Sequence, residues 1–225
     1  MSQHYVGNEL SLFAQAHNWK TYMASIFRPW LGRRVLDVGA GIGSNIPDLF
    51  TDPVEEWVAM EPDADLARQI VGASRVIAGT LTTLDASERF ETILYLDVLE
   101  HIANDTAELL HATQYLAPGG RLVVLVPAHQ FLFSPFDSAI GHYRRYGRGS
   151  LRRIGPKNGR LEQLLLLDSV GLLASLANKL VLRSAHPTLG QIHVWDRTMV
   201  PLSRALDRLT GYRVGKSAVA VWSLT

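Results

Sequence analysis

Asp37 precedes a glycine-rich turn, and the two together restrict the ligand that the turn can accept. Gly39, Gly41 and Gly43 follow a run of apolar residues in the spacing G-x-G-x-G. Glycine turns bring backbone N–H groups and a helix N-terminus towards a ligand, and dinucleotide enzymes use them to bind a pyrophosphate. A carboxylate in the same crevice would repel a pyrophosphate. The pattern therefore favours a ligand with an ammonium group and hydroxyls and without phosphate.

Glu61 is the second acidic residue with a candidate role, and it follows the apolar run Trp57–Met60. An acid at the end of a second strand can accept hydrogen bonds from both hydroxyls of a ribose. NAD enzymes place an acid at the same point, so Glu61 alone does not separate the two classes. Capping of a helix at Pro62-Asp63 is the alternative role. Because Glu61 occurs together with the glycine turn, we favour a role in binding the ribose, with Pro62 beside it.

The candidate acid–base groups lie in segment 128–147, which lacks clear periodicity. A segment of this length inside a compact domain usually serves function. Histidine is the side chain best suited to accept a proton near neutral pH, so we predict His142 and His129 as catalytic residues. The alternative for His142 is a structural role, in which it orders the loop by bonding to the backbone.

The same segment contains four further candidate side chains for binding an acceptor. Tyr143 and Tyr146 are predicted to form hydrogen bonds or to stack. Arg144 and Arg145 have the geometry to hold a carboxylate or phosphate, and an anionic acceptor is therefore one hypothesis.

Composition narrows the class of protein. The chain has 225 residues, 47% of them hydrophobic, which suits a globular domain with a sizeable core. The net charge of +1 gives no strong attraction to nucleic acid or membranes. The absence of cysteine excludes disulfides, thiolate catalysis and cysteine–zinc sites. Without a secretory signal or an apolar run of membrane-spanning length, we expect a cytoplasmic protein, monomeric or homodimeric.

Alternation of strand-like and helix-like segments predicts a parallel sheet covered by helices on both faces. Such sheets bind ligands beyond the carboxyl ends of their strands, where every motif above falls. The predicted strands are near 33–39, 55–60, 75–78, 91–96, 121–126, 161–167 and 217–223. The predicted helices are near 10–27, 44–50, 63–71, 105–116, 148–154, 170–182 and 201–209.

Three motifs together resemble class I S-adenosylmethionine (SAM)-dependent methyltransferases. Val35–Gly43 resembles the first motif of that family. The string D-V-L-E-H-I, at 97–102, matches its small-molecule branch, and L-A-P-G-G-R-L-V-V, at 116–124, matches a later motif. The resemblance covers residues 33–127, with the motifs in the expected order and spacing. It implies a Rossmann-like, seven-stranded and mostly parallel sheet, with the last strand antiparallel.

The resemblance also implies which residues bind SAM, with S-adenosylhomocysteine (SAH) as the product. Ala40 belongs to the glycine turn, and Asp97 and Val98 would line the methionine end. Thr80 and Leu81 stand where the family often has an acidic residue near the adenine, so this chain departs from the pattern there. Trp19 and Tyr22, on the N-terminal helix, are predicted to close over SAM.

Other aromatic and metal-binding candidates are less favoured. Phe13 is expected to pack in an ordinary helix interface, and Tyr5 offers a further aromatic group. Glu100 and His101 resemble metal ligands, but no second cluster has suitable spacing, so no metal is expected.

We therefore predict one domain, 1–225, that transfers a methyl group from SAM to an oxygen or nitrogen atom of a small or medium-sized acceptor. A secondary metabolite, a sugar and a lipid-linked glycan are the candidate acceptors. A helical cap at 1–30, an acceptor-side loop at 128–147 and an insertion at 169–212 complete the domain. The alternatives are an NAD(P)-dependent oxidoreductase, a nucleic-acid methyltransferase and a non-catalytic partner protein.

Overall fold

A computed structural model describes residues 9–177, 179 and 188–224 of the chain. Within that part, the strands form a single seven-stranded sheet in the order β3-β2-β1-β4-β5-β7-β6. The strands are β1 Arg34–Val38, β2 Glu56–Glu61, β3 Arg75–Ala78, β4 Phe90–Leu96, β5 Leu116–Pro127, β6 Gly159–Leu167 and β7 Ser217–Leu224.

The direction of the strands confirms the predicted fold class. Strands β1 to β5 pair in parallel, whereas β7 runs antiparallel to both of its neighbours, β5 and β6. The strand order reverses between β1 and β4, and a crevice opens at such a point beyond the carboxyl ends of the strands.

The apolar strands bury both of their faces, as their sequences predict. In β1, Leu36 and Val38 pack into a core on one side of the sheet, whereas Val35 packs into a second core on the other side. Successive side chains of a strand point to opposite faces, so a continuous apolar run serves two layers of helices at once.

Helices occupy the connections and both faces. They are α1 Glu9–Phe13, α2 His17–Phe27, α3 Ile46–Leu49, α4 Ala64–Ala67, α5 Asp105–Ala112, α6 Pro135–Ala139, α7 Arg148–Ile154, α8 Ser169–Ala177, α9 Leu189–Val194 and α10 Val200–Leu209. A π-helical stretch, Trp195–Met199, joins α9 to α10. No helix in these ranges is long and apolar enough to cross a bilayer.

Several predicted boundaries were wrong. The predicted N-terminal helix is interrupted between α1 and α2, and α6 and α9 were not anticipated. β5 begins at Leu116 rather than 121, because residues before the Pro118-Gly119-Gly120 turn already pair with β4, across an irregularity in register. The end of the predicted helix 170–182 lies outside the described residues.

Tyr22 is a buried anchor of α2, and its predicted position over a cofactor is wrong. Its hydroxyl donates a 2.8 Å hydrogen bond to the carboxylate of Asp207 in α10. Asp207 also accepts the backbone N–H groups of Asp168 and Ser169, so one buried carboxylate connects α2, α8 and α10. Burial, reinforced by Asp207, raises the pKa of Tyr22, which keeps the hydroxyl protonated as a donor.

We predict that Tyr22→Phe lowers the free energy of unfolding by about 1.5 to 3 kcal/mol, the usual contribution of a buried hydrogen bond to a charged group. Chemical denaturation measures the loss. The affinity for SAH, measured by calorimetry, should stay within twofold of wild type, and a larger change would contradict the purely structural role.

Candidate functional site

One cavity of about 1510 Å³ lies at the crevice predicted by the strand order. Sites for a single small ligand usually measure about 300 to 1,000 Å³, so this cavity has room for two ligands side by side. The ends of β1, β2 and β4 form its floor. Residues of α1, α2, α6 and α9 form its walls.

The glycine turn is held against the end of β2 by main-chain hydrogen bonds. The N–H groups of Gly39 and Ala40 both donate to the carbonyl oxygen of Met60, at 2.8 and 3.0 Å. Gly39 has a φ of 70°, and a Cβ atom there would lie 2.6 Å from Cγ2 of Val98. Only glycine satisfies both restrictions, and the turn therefore presents bare backbone to the cavity.

Glu61 lies where the sequence predicted it, on the cavity wall beside Pro62. Its two oxygens accept the N–H groups of Gly41 and Asp63, at 2.8 and 2.9 Å. Each oxygen keeps a further lone pair for a ligand hydroxyl. Burial raises the pKa of Glu61, and the two backbone donors oppose that rise.

Asp37 is a buried carboxylate of the cavity floor, and it forms no ion pair within the described part of the chain. Only 3% of the residue is exposed, and it lines the cavity. Burial raises the pKa of Asp37 to about 7, and the nearby carboxylate of Glu61 adds to the rise. A cationic group bound here would favour the ionised form and release a proton.

Asp97 lies across the cavity floor from Asp37, at the end of β4. Its φ is 57°, an uncommon value for a non-glycine residue. The residue is exposed where it lines the cavity, and desolvation by the surrounding protein raises the pKa of its carboxyl group. Val98 follows it on the same wall.

His142 forms a pair with Asp137, a residue that the sequence did not single out. Nδ1 of His142 lies 2.9 Å from Oδ1 of Asp137, and Arg145 donates to both carboxylate oxygens at 2.8 and 3.0 Å. Although burial acts in the opposite direction, these donors hold the pKa of Asp137 well below its usual range. An ionised Asp137 keeps the proton of His142 on Nδ1, which leaves the lone pair on Nε2.

Glu100 and His101 lie on the other side of His142. The rings of His101 and His142 meet edge to face, with centroids 4.5 Å apart. Glu100 is 1% exposed, its Oε1 atom is 4.0 Å from Nε2 of His142, and its Oε2 atom has no hydrogen-bond partner. Burial lowers the pKa of His101 to about 4, so the imidazole is neutral at neutral pH. Burial also raises the pKa of Glu100, as does Asp97.

Trp19 and Tyr143 also lie on the cavity wall, as predicted. Trp19 packs against Trp195, and its backbone N–H donates to Asp196. Phe13, expected to be an ordinary packing residue, lines the cavity as well. Tyr5 lies outside the described residues.

Two predicted acceptor-binding residues instead support the fold. Tyr146 is buried and donates its hydroxyl to Leu99 O and to Asp105. Arg144 donates to the carbonyl oxygens of Ile102 and Ala103 and forms an ion pair with Asp105. Neither residue lines the cavity, because Asp105 draws both side chains to the start of α5.

Three more predicted residues lie away from the cavity. His129 forms a 2.9 Å hydrogen bond with the carbonyl oxygen of Gly215 and stacks on Phe131. Leu81 is buried in the core, and Thr80 hydrogen-bonds to Thr82 on the surface. The wall beside Glu61 is formed instead by Pro62, Asp63 and Leu66.

Sequence reasoning missed the lysines that line the cavity, Lys20, Lys179 and Lys216. Lys20 is buried on α2 and donates to the carbonyl oxygen of Ser44 at 3.1 Å. Lys216 is 3.3 Å from Asp168 and lies over the ring of Trp195. Lys20 could have been predicted to line the cavity, because it follows Trp19 on a helix expected to lie over the cleft. Nothing in the sequence indicates that Lys216 lines the cavity.

A comparison with known proteins identifies the family. A family model described as a methyltransferase domain matches residues 9–164. A ubiquinone biosynthesis O-methyltransferase of Paramagnetospirillum magneticum is 32% identical over 107 residues, which cover 43% of this chain and 41% of that protein. A demethylmenaquinone methyltransferase of Tropheryma whipplei is 31% identical over 151 residues, covering 64% and 60%. The match thus spans less than two thirds of either relative.

The fold is shared with solved methyltransferases. Magnesium protoporphyrin IX methyltransferase from Synechocystis, solved with bound SAH, superposes with a TM-score of 0.58 at 13% identity, covering 99% of this chain and 90% of that one. The chain therefore belongs to the methyltransferase domain family. Membership confirms the predicted family and, with it, SAM as the cofactor, and it sets aside an NAD(P)-dependent oxidoreductase.

The raised pKa of Asp37 predicts a pH-dependent affinity for SAH. The carboxyl group is largely protonated at pH 6 and ionised at pH 8, and only the ionised form attracts the ammonium group of the ligand. We expect binding to tighten about tenfold between these pH values. Calorimetry on wild type and Asp37→Asn checks this, because the variant should bind weakly at both pH values.

The stability of the free protein provides the control. A carboxyl whose folded pKa is raised stabilises the fold below its unfolded pKa, near 4, and this contribution is lost as the pH rises through 7. The Asp37→Asn variant has no carboxyl group to titrate at this position, so it does not lose this stability as the pH rises. At pH 8 the variant should therefore unfold at a higher temperature than wild type, and a lower one would show that weak binding results from misfolding.

Proposed function

We propose that this protein transfers the methyl group of SAM to an oxygen or nitrogen atom of a small or medium-sized acceptor. The observation that carries the proposal is the joining of two half-sites in one cavity. One half contains the glycine turn with Asp37 and Glu61, and the other contains His142 with its buried partner Asp137.

The first half suits each polar group of SAM. Asp37 would pair with the ammonium group, and Glu61 would accept the ribose hydroxyls. Lys20 would face the methionine carboxylate, because only one of its three N–H donors is used by Ser44. The sulfonium would lie towards Asp97, as the motif implies.

The adenine is assigned to a different wall from the one predicted. Thr80 and Leu81 lie outside the cavity, so we assign the ring to Pro62 and Leu66. Both follow Glu61 closely in the chain, which suits a base attached to the ribose. Trp19 would cover the cofactor from α2.

The second half is lined largely by apolar side chains. The residues that share this character are Leu132, Phe133, Phe136, Ala139 and Ile140. Such a wall favours an acceptor with an aromatic or aliphatic body over a bare sugar. The names of two relatives, which refer to ubiquinone biosynthesis and to demethylmenaquinone, support a ring-containing acceptor.

Methyl transfer from SAM is an in-line displacement at an already activated carbon, so the protein mainly aligns the acceptor and excludes water. The acceptor atom attacks the methyl carbon while the bond to sulfur breaks, and SAH leaves with the electron pair. Nε2 of His142 is positioned to accept the acceptor's proton, and Asp137 stabilises the resulting imidazolium.

The function as a whole is tested by calorimetry with SAH, followed by mass-spectrometric detection of SAH formed from SAM with hydroxylated aromatic acceptors. Micromolar binding together with acceptor-dependent turnover is the expected result. Binding without turnover on any ring-containing acceptor would favour a non-catalytic partner protein. Turnover on RNA or DNA instead would favour a nucleic-acid methyltransferase.

We predict that His142→Ala lowers kcat by about 10²- to 10⁴-fold, the usual contribution of a general base, while the Kd for SAH is unchanged. Steady-state kinetics and calorimetry separate the two effects. His129→Ala is the comparison, since this ring is bonded to Gly215 outside the cavity. A larger loss of kcat in His129→Ala than in His142→Ala would reverse the assignment.

Arg145 tests the hypothesis of an anionic acceptor. Because the guanidinium already holds Asp137 through two hydrogen bonds, we expect Arg145→Ala to lower kcat by loosening the Asp137–His142 pair. An effect on the acceptor KM alone, with kcat unchanged, would instead indicate direct binding of an anion.

A further inference from the structure

We infer that Glu100, His101 and His142 form a binding site for a divalent transition-metal ion at the acceptor end of the cavity. Each residue offers one ligand atom, and the three atoms lie within 4.8 Å of one another. The sequence argued against a metal because no second group of ligands had suitable spacing. The fold supplies the missing ligand from the segment that follows β5.

The free oxygen of Glu100 is the first sign that the cluster is built for a ligand. Buried polar atoms nearly always have a hydrogen-bond partner, because an unpaired buried polar atom loses its hydration without compensation. Glu100 is 1% exposed, and its Oε2 atom has no partner in the described structure. A cation between Glu100 and the two histidines would satisfy that oxygen.

The separation of Glu100 from His142 gives a second, independent sign. At 4.0 Å, the distance from Oε1 to Nε2 is too long for a hydrogen bond. Two ligands that each lie about 2.1 Å from one tetrahedral ion are separated by about 3.4 Å. A shift of about 0.6 Å would therefore bring this pair to the spacing of two ligands of one metal.

The partner of His142 completes the arrangement expected around a metal. Histidines that bind metals usually donate their other ring N–H to a carboxylate, which fixes the tautomer and the orientation of the ring. Asp137 accepts from Nδ1 at 2.9 Å and leaves the Nε2 lone pair on the side of Glu100. Main-chain hydrogen bonds from His142 N to Asp137 O and from Tyr143 N to Glu100 O hold the two segments together.

The ligand set indicates the class of metal. Two imidazoles and one carboxylate suit Zn²⁺ and similar transition-metal ions, whereas Mg²⁺ prefers a shell of oxygens. Three protein ligands leave a coordination position open, as in catalytic sites. Since Glu100, His101 and His142 all line the cavity, an acceptor oxygen can reach that position.

The catalytic consequence of the site rests on the proposed function. An ion here would polarise an acceptor oxygen and so favour loss of its proton. Nε2 of His142 has one lone pair, so metal binding and proton acceptance exclude each other there. The metal-bound protein would thus activate the acceptor by a different route from the metal-free protein.

The test is a calorimetric titration of chelator-treated, full-length protein with ZnCl₂, in the absence of SAM and acceptor. We expect one Zn²⁺ per chain at micromolar or lower Kd, and no comparable binding of Mg²⁺. Glu100→Gln and His101→Gln should each weaken binding at least tenfold. His17→Ala, which removes an exposed histidine at the start of α2, should bind Zn²⁺ like wild type.

The absence of stoichiometric binding would overturn the inference, and so would an equal affinity in wild type and both ligand variants. The spectrum of Co²⁺-loaded wild type gives a measure that needs no variant. Intense visible bands indicate four- or five-coordinate nitrogen and oxygen ligands, whereas the weak bands of the hexaaqua ion contradict the site. SAH titrations on the same samples show whether the cofactor half is intact, so failure of metal binding and failure of the proposed function are separate results.

Discussion

The reversal of strand order between β1 and β4 is the constraint on which the rest of the site depends. Connections on the two sides of this point leave the sheet in opposite directions, and a crevice opens between the strand ends. The glycine turn and Asp97 therefore meet at the same opening. Because parallel pairing of β1 with β4 fixes their register, the two carboxylates at these strand ends are positioned by backbone geometry rather than by side-chain packing.

The site lowers the stability of the protein when no ligand is bound. Asp37 and Glu100 are buried, Asp97 lines the cavity, and desolvation raises the pKa of each carboxyl group. Asp97 also has a left-handed backbone conformation that a side chain disfavours. These features destabilise the free protein. They are intelligible as groups prepared for a ligand that restores the lost interactions.

Much of the fold and of the cofactor half follows from local sequence, whereas the acceptor half does not. Strand periodicity, the glycine spacing and the acid after β2 are local patterns. They predicted the sheet, which is confirmed, and they singled out Asp37 and Glu61, which line the cavity and whose roles in binding SAM stay predictions. The partners of the misassigned residues are distant in the chain. Asp105 binds Arg144 from 39 positions away, and Asp207 binds Tyr22 from 185 positions away. No periodicity in the sequence reveals such pairs. From the sequence alone, a side chain that supports the fold therefore cannot be distinguished from one that binds a ligand.

The buried carboxylate of Asp137 holds one part of the acceptor half in place through hydrogen bonds, in contrast to the apolar walls beside it. It caps α6 through Ser134, while it also holds His142 and Arg145. The apolar side chains of Phe133 and Phe136 line the cavity near it. Exchange of these apolar walls would therefore alter which molecule the cavity accommodates while leaving the Asp137–His142 pair in place. In this architecture, the shape of the cavity can vary independently of the polar pair beside it.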